Sequence, residues 1–177
     1  MFYLWPVATI IAFYLFALLQ SSFFIYFSLF GVVPNFVFIL FFCLIFFGRK
    51  DSRWHIILPA ILAGFLLDAF SAIPMGISII LLTIIGFFVK KMQSMLKDSD
   101  KKYPFWYFVW LFLVSFAAYL LAIKLCAYFI GLDNFSLQFN IRFISETVYN
   151  LIFALIGFYL GKKLCKPEKN KNKNCFF

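Results

Sequence analysis

From Phe36 to Phe47, and again from Phe105 to Ile123, the chain runs on without a charged residue and without a polar face. A helix packed on a soluble core carries an apolar stripe opposite a polar one. A helix that is apolar all round has lipid or protein on every side, as a bilayer-spanning segment does. Hydrophobic residues make up 65% of the chain and charged residues only 13%, a balance that soluble domains do not reach. In 177 residues there is room for several spans, and none for a sizeable soluble domain between them.

The pattern predicts an all-α membrane protein of about six transmembrane helices. A first span covers about Phe2 to Leu19, and Gln20 to Val33 reads as an interfacial or re-entrant connection broken by Ser21, Ser22, Ser28 and Gly31. Pro34 opens a second span that ends near Phe47, proline being well tolerated at a helix start. The third runs from about Trp54 to Phe70, and a tight Ser71 to Pro74 turn leads into a fourth that ends near Lys90. After a polar loop, Lys91 to Tyr103, come a fifth span from about Pro104 to Ile130 and a sixth from about Phe139 to Leu160. Residues 1–163 thus form one transmembrane domain. Residues 164–177 form a lysine- and asparagine-rich tail expected to be disordered in water. The N-terminus is apolar from the start and lacks a small-residue cleavage site, so it reads as a retained helix and not a signal peptide.

The formal charge of +9 does not point to nucleic acid, because the basic residues fall in three short clusters after apolar segments. Arg49, Lys50 and Arg53 follow the second span; Lys90, Lys91, Lys97, Lys101 and Lys102 follow the fourth; Lys162, Lys163, Lys166, Lys169, Lys171 and Lys173 follow the sixth. Basic residues after every even-numbered span place both termini in the cytoplasm. Trp5, Trp54, Trp106 and Trp110 all fall near the same expected side, where an interfacial aromatic belt belongs.

Chemistry is sparse. Cys43, Cys126, Cys165 and Cys175 are far apart and form no C-x-x-C, and the single histidine, His55, stands beside Trp54 at an expected membrane edge. No catalytic pair, cofactor motif or metal-ligand set is present, so no enzyme activity and no cofactor are expected. The exceptions inside apolar segments are Asp68, Lys124, Arg142 and Glu146. A rise of about 1.5 Å per residue puts them at a similar depth toward the outer side. Charges in hydrocarbon are costly and face other helices or water. Either these four form a polar site open to the outside, or they are internal caps and salt bridges that hold the helices together. The second reading is favoured. Asp68 can cap the Ser71 to Gly76 turn, and Arg142 and Glu146, one helical step apart, can pair. Gly157 and Gly161 form a G-x-x-x-G, and Ala60 with Gly64 repeats the small spacing. Such pairs let backbones approach, within one chain or across a dimer.

Val33-Pro34-Asn35-Phe36, an apolar span with a short basic loop, then Gly64-Phe65-Leu66-Leu67-Asp68 and Pro74-Met75-Gly76 before another span, occur here in that order. This arrangement, over about residues 33 to 90, resembles MreD, the rod shape-determining membrane protein family of bacteria. The resemblance implies a six-span fold similar to the substrate-binding subunits of energy-coupling-factor vitamin transporters. It implies a non-enzymatic place in the elongasome of the inner membrane, with MreC as direct partner and with RodA and a penicillin-binding transpeptidase in the larger complex. The residues that match are Pro34, Asn35, Gly64, Asp68 and Gly76. The shared fold also admits another function, capture of a small molecule such as a vitamin for a transporter. That would need a roomy polar pocket, which the outer loops are too poor in polar residues to furnish.

Overall fold

The structure, a computed structural model, describes residues 4–23, 26, 28, 32–48, 53–71, 74–95, 105–131 and 141–164. The side chains of Leu4, Trp5, Ile141, Arg142 and Leu164 lie outside that description, as do residues 49–52, 96–104 and 165–177. Six α-helices account for nearly all of it: α1 (Leu4–Leu18), α2 (Phe36–Phe47), α3 (Trp54–Ala69), α4 (Ile77–Met95), α5 (Phe105–Phe129) and α6 (Ile141–Leu164). The all-α reading therefore holds, with shifted boundaries. α1 continues into a π-helical turn over Leu19–Phe23, so Gln20 belongs to the first helix and not to a connection. α4 extends past Lys90 to Met95, which takes the first residues of the expected polar loop into helix.

Four segments are long and apolar enough to cross a membrane: Pro6–Phe23, Ile77–Met95, Phe105–Phe129 and Phe143–Lys163. The other two helices are shorter than the spans expected of them. α2 has 12 residues, about 18 Å against a hydrocarbon layer of about 30 Å. Its deficit is made up by Val32–Asn35, which enters the bundle as non-helical backbone before α2 begins. Such backbone is tolerated at membrane depth only where protein surrounds it. Val32 and Pro34 are indeed buried. Pro34 accordingly does not open the helix. Asn35 is the N-cap, its side chain accepting from the Phe38 N–H at 2.9 Å, and Pro34 precedes it in the buried non-helical segment.

α2 is the centre of the molecule. It packs on α1, α3, α4 and α6, and eight of its residues are buried. Its remaining face meets α5 through two phenylalanine ladders. Phe38, Phe42 and Phe46 recur every four residues on α2, and Phe108, Phe112 and Phe116 do so on α5, so each set lines one helix face. Ring centroids lie 5.1 Å apart for Phe38–Phe116, 5.1 Å for Phe42–Phe112 and 4.9 Å for Phe46–Phe108, all in edge-on geometry. Edge-to-face pairs of this kind contribute about 0.5–1.5 kcal/mol each beyond simple burial. Lipid tails are as apolar as phenylalanine, so close packing and not water exclusion makes this interface favourable.

The outer helices present apolar residues outward, among them Ile10, Ile11, Tyr14 and Leu15 on α1 and Ile144, Val148, Ile152 and Ile156 on α6. Successive helices run antiparallel, which gives the bundle two distinct ends. At one end the α2 start meets Gln20 of the first helix and Asn150 of α6. At the other, the α2 end meets Lys90 of α4 and Gly161 of α6.

Candidate functional site

The α2-start end gathers Gln20, Asn35, Asp68, Ser78 and Asn150. Asp68 closes α3 and is 2% exposed, yet its carboxylate is fully engaged. Oδ2 accepts from the Gly76 N–H at 2.6 Å and Oδ1 from the Ser78 N–H at 3.2 Å. The first turn of α4 begins with the Ile80 N–H donating to the Gly76 carbonyl, so Gly76 is the residue before the helix. Gly76 has φ +108°, a backbone conformation that side chains disfavour, and it has no side chain with which to cap. Asp68, eight residues upstream, supplies the capping oxygens instead. Its negative charge also sits at the positive end of the α4 dipole. Of the two partners open to Asp68 in the sequence, backbone N–H groups or a buried cation, the hydrogen bonds show the backbone.

Ser78 continues the seam. It is buried, and its side chain hydrogen-bonds the Tyr119 phenol of α5, with the carboxylates of Asp68 and Glu146 in electrostatic range of that phenol. On the α6 side, Asn150 is fully buried and bridges two backbones. Oδ1 accepts from the Asn35 N–H at 2.6 Å, and Nδ2 donates to the Glu146 carbonyl at 2.8 Å. Gln20 Oε1 accepts from the Val37 N–H at 3.4 Å. Of the first-turn N–H groups of α2, which a helix leaves without partners, that of Phe36 donates to the Pro34 carbonyl and those of Val37 and Phe38 to the side chains of Gln20 and Asn35.

The other charged residues inside apolar segments lie on α5 and α6. Lys124 is exposed on α5, with its ammonium 5.6 Å from the centre of the Phe143 ring on α6, a cation–π contact and not an ion pair with Asp68. Glu146 is half-buried on α6. The expected pairing of Arg142 with Glu146 falls outside the described side chains.

The small residues serve contacts within the chain. A Cβ added at Gly64 would lie 2.5 Å from the Ile79 backbone of α4, so α3 and α4 touch backbone to backbone there. Ala60, one turn earlier, is fully buried. A Cβ at Gly157 would meet the Cys43 sulfur of α2 at 2.9 Å, and one at Gly161 the Phe47 ring at 2.5 Å. The G-x-x-x-G is thus the groove in which α6 receives α2. Cys43 and Cys126 are free thiols, and Cys165 and Cys175 lie outside the described residues.

At the opposite end, Lys90 Nζ donates to the Gly48 carbonyl at 2.7 Å and Gln93 Nε2 to the Phe46 carbonyl at 2.9 Å, closing the last turn of α2. Sequence reasoning missed Gln20, Gln93 and Asn150. The available signal was a lone amide inside an otherwise apolar helix, which hydropathy alone does not flag. Among the described residues, no three of His, Cys, Asp and Glu stand close enough to hold a metal ion.

An all-helical membrane protein whose buried Asp68, Gln93 and Asn150 side chains bond its own backbone is the class that this geometry defines. The sequence model of the family described as rod shape-determining protein MreD matches residues 2–167, and the chain belongs to that family. The likeness seen over residues 33 to 90 therefore extends to nearly the whole chain, and only Met1 and the last ten residues fall beyond it. No curated relative and no solved structure matches the chain at a significant level.

Proposed function

We propose that this rod shape-determining membrane protein acts as a non-enzymatic scaffold of the bacterial elongasome. It crosses the cytoplasmic membrane six times with both termini in the cytoplasm. It binds an MreC-like single-span protein and, with RodA and a penicillin-binding transpeptidase in the larger complex, supports lateral peptidoglycan synthesis. The observation that carries this reading is the family match over residues 2–167. The use of the buried polar side chains favours a scaffold over a ligand-capture subunit. Asp68, Asn35 and Asn150 bond backbone groups that the fold would otherwise leave bare, and so are already committed to holding helices.

The test is purification of the tagged chain from its native membrane in a mild detergent. A single-span protein with a periplasmic coiled coil should co-purify in near-stoichiometric amount. Recovery of a tightly held vitamin, or of a pair of ATPase subunits, in place of that protein would overturn the scaffold.

A further inference from the structure

We draw no further inference here: the strongest candidate, the half-buried apolar stripe of Leu40, Cys43, Leu44 and Phe47 along α2, beside Gly157 and Gly161 of α6, carries none, because nothing in the structure shows what covers it.

Discussion

Asp68 uses both of its oxygens, and this decides what a substitution there does. An asparagine keeps one accepting oxygen but turns an amide N–H₂ toward the second N–H, so one of the two bonds to the α4 start is lost. Asp68→Asn should therefore cost about 1–3 kcal/mol. Asp68→Leu leaves the Gly76 and Ser78 N–H groups buried without partners and should cost about 4 kcal/mol. Unfolding in a graded denaturing detergent measures both. A wild-type midpoint for Asp68→Leu would mean that the carboxylate has no structural duty. This residue was legible in the sequence because a lone carboxylate in an apolar run, followed by Pro74 and Gly76, has few ways to be satisfied. Asn150 was not, since an uncharged amide within a helix gives no hint that its partner is Asn35, 115 positions away.

The helices themselves were mostly legible, because apolar runs of this length have few alternatives, but their roles were not. An all-apolar segment reads the same whether lipid or protein surrounds it, and α2 proves to be the most enclosed helix of the six. The four-residue phenylalanine spacing was present on both α2 and α5, yet nothing in the sequence pairs one ladder with the other. Phe112 is fully buried and meets Phe38, Phe42, Phe108 and Phe116. Phe112→Ala should destabilise the bundle by about 3–5 kcal/mol, whereas Phe65→Ala on the outward face of α3 should cost well under about 1 kcal/mol. The same unfolding titration compares them. Among the glycines, Gly64→Ala should be the most damaging, by about 1–3 kcal/mol, because the new methyl group meets the α4 backbone. Gly157→Ala meets only a thiol that can turn aside and should cost less.

At the scale of the whole molecule, the shortness of α2 and the capping of both its ends by neighbouring helices describe one bundle with unlike ends. Truncation after Lys163 removes none of the hydrogen bonds that close α2, and should leave the unfolding midpoint and partner co-purification unchanged. A drop in either would assign the tail a structural part. The orientation of this bundle is the claim on which the scaffold and its periplasmic partner both depend, and single-cysteine labelling tests it most directly. With the four native cysteines changed to serine, a cysteine at position 97 should resist a membrane-impermeant maleimide in intact cells, and one at position 133 should react. Labelling at 97 with protection at 133 would contradict the account.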